Sequence, residues 1–111
     1  MDEQLDLGPL IAVRHGDCAT VTFSGASALD LEIPDNYEAD LRDQLDELMA
    51  AGVRFELDLQ NLPGVSSRQL GLLIILHKVV RDAQQRLPLR GVTPAVRHVL
   101  EVTRTSQFFD A

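Results

Sequence analysis

Val53, Phe55, Leu57 and Leu59 alternate without a break with Arg54, Glu56 and Asp58, and a short loop then leads into a long apolar run that opens on Ser66-Ser67. The period of two is that of a strand with one buried face and one wetter face. From about Ser67 to Ala83 the period changes to that of a helix: Leu70, Leu73, Ile74, His77 and Val80 form one stripe, and Leu72, Ile75, Leu76 and Val79 widen it around much of the circumference. A helix apolar over so wide an arc is either central in its domain or partly covered by another chain, as in a homo-oligomer, and both arrangements stay open at this point. The unit reads as strand, short loop and helix start, with the two serines at the junction.

The remaining elements fit around this unit. Leu10 to Arg14 and Cys18 to Phe23 are rich in apolar and β-branched residues and are separated by His15-Gly16-Asp17, so they read as a hairpin. Leu29 to Ile33 alternates, but Pro34 suits an extended loop equally well. Asp35-Asn36-Tyr37-Glu38 has the form of a capping box, and Tyr37, Leu41, Leu45, Leu48 and Met49 recur at helical spacing up to Gly52. Arg86 to Arg90 alternates as a strand that Pro88 places near an edge and Gly91 closes. Thr93-Pro94 is a cap followed by proline at the first helical position, for a third helix ending near Thr105, and Phe108 and Phe109 should dock. The order of strand, strand, helix, strand, helix, strand, helix favours parallel pairing of the later strands beside an initial hairpin. The expected fold class is therefore α/β, a mixed β-sheet with helices packed mainly on one face.

With 111 residues, the chain suits one domain with one core, spanning 1–111, in which the acidic start 1–9 is expected to be loose. Apolar residues make up 45% and charged residues 24%, values of a globular rather than a disordered chain. The net charge of -7 argues against nucleic acid and against an anionic membrane surface. The longest apolar run falls far short of the roughly 20 residues of a membrane span, and the start Met1-Asp2-Glu3 is not that of a secretory signal, so the expected location is cytoplasmic. Cys18 is the sole cysteine, which excludes an internal disulfide and reads as a small buried strand residue. His15, His77 and His98 are widely separated, with no metal-ligand spacing, and no glycine loop of the phosphate-cradling kind is present. No cofactor is expected.

The chemistry concentrates at the serine junction. Gly64-Val65-Ser66-Ser67-Arg68 begins like the nucleophile elbow of serine hydrolases, but Arg68 stands where the strained turn needs glycine, so an enzyme built on Ser66, His77 and Asp58 is disfavoured. Ser66 and Gln69 form a capping box, which frees Ser67 from that duty and places it exposed at the first helical position. Backbone N–H groups there lack intrahelical partners and sit at the positive end of the helix dipole, so an anion on Ser67 would be welcome.

The run Asn61-Leu62-Pro63-Gly64-Val65-Ser66-Ser67-Arg68-Gln69-Leu70-Gly71, its apolar helix, and the later Arg86-Leu87-Pro88-Leu89-Arg90-Gly91-Val92-Thr93-Pro94-Ala95-Val96-Arg97-His98-Val99-Leu100 resemble the STAS domain of bacterial anti-sigma factor antagonists, from about Ala12 to Phe109. In that family the junction is typically D-S-S-G-L-G and its first serine is phosphorylated by an anti-sigma factor that is also a kinase. Matching Leu70-Gly71 to the final L-G implies Ser67 as phosphoacceptor, with Ser66 at the aspartate, Arg68 at the second serine and Gln69 at the first glycine. The resemblance implies a non-catalytic, partner-switching module of transcription control, with Gly64, Val65, Ser66, Arg68 and Gln69 meeting an anti-sigma factor or serine kinase. The alternative it allows is a STAS scaffold or accessory subunit of a sensor or transporter complex that takes no phosphate.

Overall fold

The computed structural model describes residues 3–23, 33–60 and 66–103. Among the described residues, five strands and three helices follow one another: β1 (Glu3–Leu7), β2 (Leu10–His15), β3 (Cys18–Phe23), α1 (Tyr37–Ala50), β4 (Arg54–Asp58), α2 (Ser67–Asp82), β5 (Leu89–Arg90) and α3 (Pro94–Val102). The strands lie side by side in sequence order. β1, β2 and β3 pair antiparallel, whereas β3 with β4 and β4 with β5 are parallel, because α1 and α2 carry the chain back each time.

The register explains which face is buried. Leu5, Ala12, Val21, Leu57 and Leu89 are successive partners across all five strands and form one apolar row. Ala12, Val21 and Leu57 are shut off from solvent and share a core with Leu41 and Leu45 of α1, Leu72, Leu73 and Leu76 of α2, and Val96 and Leu100 of α3. The helices thus cover one face. Side chains one residue along point the other way: Val13, Thr20 and Glu56 form a second row that stays half-exposed.

Within the acidic start, residues 3–7 form a strand rather than a loose segment. Glu3–Leu7 forms an edge strand on β2, and Leu7 is buried while Leu5 packs against the core. Two apolar residues among three polar ones suffice for a one-sided strand, and the Tyr37 hydroxyl of α1 donates to the Leu7 carbonyl, tying that strand to the helix layer. The capping box expected at Asp35–Glu38 is also absent: Asn36 is the cap residue but takes a left-handed conformation (φ 62°) and makes no side-chain cap bond. The chain turns there through the bond from Tyr37 N–H to the Pro34 carbonyl (3.2 Å), and asparagine tolerates the backbone that this turn imposes.

α2 is covered more fully than its wide apolar arc required. Leu72, Leu73, Leu76, Val79 and Val80 are buried, His77 and Ile75 are half-buried, and Ile74 is left 36% exposed. Of the expected strand Arg86–Arg90 only Leu89 and Arg90 pair as β5, while the Pro88 carbonyl still accepts from Leu57 N–H (2.9 Å). Gly91 follows at φ +66°, where a Cβ would stand 2.5 Å from Gln60 Cβ. α3 starts as expected, with Thr93 Oγ1 accepting from Val96 N–H (3.3 Å) and Pro94 in the first turn, but it ends at Val102, where the Thr103 hydroxyl donates back to the Val99 carbonyl (2.7 Å). Phe108, Phe109 and, of the segment Leu29 to Ile33, all but Ile33 lie outside the described residues.

Candidate partner-binding site at the start of the second helix

β4 ends at Asp58, whose carboxylate accepts from Gln60 N–H (3.0 Å) and turns the chain out of the sheet. The chain re-enters regular structure at Ser66, an extended residue (φ −78°, ψ 168°) that caps α2. Gln69 N–H donates to Ser66 Oγ at 3.1 Å, Ser66 N–H donates to Gln69 Oε1 at 2.8 Å, and Leu70 N–H reaches the Ser66 carbonyl at 2.9 Å. The capping box read from the sequence is therefore complete.

This closure decides what the neighbouring residues can do. Ser66 is half-buried, and Gln69, 7% exposed, turns its amide inward to hold the cap. Ser67 and Arg68 are exposed at the first two helical positions. No acidic residue occupies the first turn of α2, and Arg68 adds a positive charge to the positive end of the helix dipole there. Gly64 and Val65 lie outside the described residues. Ile33, which the sequence placed only in a strand or loop of unsettled kind, brings its Cδ1 to 3.8 Å from where a Cβ on Gly71 would be, so it borders the same turn.

The hydrolase trio is not assembled. Ser66 Oγ is occupied by the cap, and His77 sits ten residues beyond Ser67 on the same helix, about 15 Å along its axis at 1.5 Å per residue. His15 ends β2, and His98 lies exposed on α3. Cys18, expected to be buried, is half-exposed at the start of β3, where burial and nearby Glu56 push its thiol pKa up.

A family model described as "Mlab, STAS domain" matches residues 13–109, most of the chain. The chain belongs to the STAS domain family. A solved structure, the NMR structure of the protein TM1081, has the same fold with a TM-score of 0.60, covering 88% of this chain and 75% of that one at 14% identity. No curated protein matches the sequence. STAS domains are in general non-catalytic modules that mediate protein–protein interaction, of the anti-sigma factor antagonist or scaffold kind. In this STAS domain no helix among the described residues is long and apolar enough to cross a membrane.

Proposed function

We propose that this STAS domain acts as a single cytoplasmic module of the anti-sigma factor antagonist type, docking on an anti-sigma factor through the first turn of α2, and that phosphorylation of Ser67 ends the docking. The observation that carries the reading is the division of labour between the two serines: Ser66 closes the cap with Gln69, and Ser67 is left exposed beside it.

The unmodified turn presents the exposed Ser67 hydroxyl and the exposed Arg68 side chain on its surface. A phosphate adds close to two negative charges at that spot. The helix N-terminus and Arg68 stabilise those charges within the domain, so the modified serine keeps its place. For a partner seated on the turn, the same charges bring desolvation and repulsion, and a loss of about 1.4 kcal/mol already lowers affinity tenfold. Incubation with the cognate anti-sigma kinase and ATP, followed by peptide mapping, tests the reading. One phosphoryl group on Ser67, lost in Ser67→Ala, is expected; phosphate elsewhere, or none, contradicts it.

One feature favours a second reading, in which the domain is a STAS scaffold or accessory subunit that takes no phosphate. Arg68 fills part of the turn with a long side chain where the antagonist pattern has a small one. That reading predicts an assembly indifferent to Ser67→Glu but broken by a change on the outer face of α2. Ile74 is the position to change, because Leu72 is fully buried and Ile75 half-buried.

A further inference from the structure

β1 lies at one margin of the sheet: β2 pairs along one of its sides, and among the described residues no strand lies along the other. Only Gly8 and Pro9 separate Leu7 from Leu10, so those two face each other as a hydrogen-bonded pair, and Leu5 with Ala12 and Glu3 with Arg14 follow by alternation. The backbone N–H and C=O groups of Gln4 and Asp6 therefore point away from β2, out of the sheet. Glu3, Gln4 and Asp6 are exposed, and Leu5, on the helix side, is half-buried.

We propose that this edge takes up an extended segment of a partner protein as an added antiparallel strand, with an apolar residue opposite Leu5 and lysine or arginine opposite Asp6 and Glu3.

The edge is preformed, because the Tyr37 hydroxyl donates to the Leu7 carbonyl and the Asp6 carboxylate accepts from Gly8 N–H (2.9 Å), which fixes the strand at its end. Its charge selects the occupant. Glu3 and Asp6 are the charged residues of β1, and Arg14, the one arginine of β2, turns its Nε to the Gly16 carbonyl (2.9 Å). A second copy would bring the same acids and a further net charge of -7, and like charges on adjoining strands are destabilising. A basic strand meets no such barrier. The outward backbone groups supply hydrogen bonds to any sequence, and alternate side chains supply the selectivity. At Leu5 a partner's apolar side chain extends the row of Leu5, Ala12, Val21, Leu57 and Leu89. β2 and β3 separate β1 from β4, the strand before α2, so this edge and the Ser67 turn can fail independently.

The probe is the peptide acetyl-Thr-Val-Lys-Val-Lys-Lys-Thr-amide, whose second valine faces Leu5, first lysine Asp6 and last lysine Glu3 when the strands run antiparallel. Titrated into the isotope-labelled domain and followed by two-dimensional NMR, it should give saturable shifts at the amides of Gln4 and Asp6 and slow their hydrogen exchange, with the amides of Ser66 to Leu70 unmoved. Glutamate in place of every lysine should weaken binding about tenfold or more. N-methylation of the first lysine, whose N–H would meet the Asp6 carbonyl, should do the same with the charge kept. Gln4→Pro removes an outward donor and no bond to β2, so its spectrum should stay that of a folded domain while the peptide no longer binds. The proposal is overturned by no saturation at millimolar peptide, by equal binding of the lysine, glutamate or N-methylated peptides, or by binding retained in Gln4→Pro. Concentration-dependent shifts at Gln4 and Asp6 without peptide would also overturn it, since they mark a second copy as the occupant.

Discussion

Gln69 and Ser66 hold one another: each gives its backbone N–H to the other's side-chain oxygen, at 3.1 and 2.8 Å, so the first turn of α2 is closed by two neutral groups. The cap therefore does not depend on Ser67. Structure and exposure are separated over two consecutive serines, and the proposed switch rests on that separation.

The division has a direct consequence for stability. Ser66→Ala should cost about 1 kcal/mol, as loss of an N-cap does, whereas Ser67→Ala should stay within about 0.5 kcal/mol of the parent. Urea unfolding of the three proteins checks this. Equal losses would mean that both hydroxyls serve the fold.

Negative charge at residue 67 should stabilise the isolated domain even where it disfavours a partner. Ser67→Glu, or the phosphorylated protein, gains roughly 0.3–1 kcal/mol at low ionic strength from the helix N-terminus, and added salt screens the gain. Thermal unfolding at low and high salt reads both effects. A destabilised Ser67→Glu protein would show that the side chain is not free to stay in solvent.

Tyr37 offers a clean pH measurement because it is the sole tyrosine and the chain has no tryptophan. Burial, with a smaller contribution from Asp6, pushes its pKa up from 10.0 to about 12. A folded pKa above the unfolded one means that the stabilising contribution is complete below pH 10 and is lost as pH rises through about 12. Tyrosinate absorbance in the folded domain should thus rise near pH 12, and in denaturant near 10. Tyr37→Phe, which removes the bond to the Leu7 carbonyl, should cost about 1 kcal/mol and speed amide exchange in β1.

Gly91 and Gly16 both have positive φ, but only one is crowded. A Cβ at residue 91 would meet Gln60 Cβ at 2.5 Å and Gln60 Cα at 2.9 Å, whereas nothing lies within 4 Å of one at residue 16. Gly16→Ala should cost about 1–2 kcal/mol for the left-handed backbone alone. Gly91→Ala should cost about 1–3 kcal/mol more, since the close atoms include backbone that must shift. Comparable midpoints in urea would show that the β5 turn yields easily.

The sequence was most readable where local chemistry and tertiary packing agree. The alternation around Phe55 and Leu57 is strand β4, the Ser66–Gln69 box caps α2, and Thr93-Pro94 starts α3. It misled where a distant contact decided the outcome. Glu3–Leu7 has too few apolar residues to announce a strand, and only pairing with β2 and the Tyr37 hydroxyl make it one. Asp35–Glu38 spells a capping box, but the turn from Pro34 moves Asn36 out of capping geometry. At the candidate site, Ser67 and Arg68 were legible as exposed first-turn residues, whereas the inward turn of Gln69 follows from the reach of its side chain to Ser66 N–H.

The proposed switch makes the charge on residue 67 decide whether the partner binds. Its most direct test is the equilibrium affinity of the unmodified domain, the Ser67-phosphorylated domain and Ser67→Ala for the cognate anti-sigma factor. The account predicts that Ser67→Ala binds like the unmodified protein and that the phosphorylated form binds about tenfold more weakly or worse. Equal affinity for all three would contradict it.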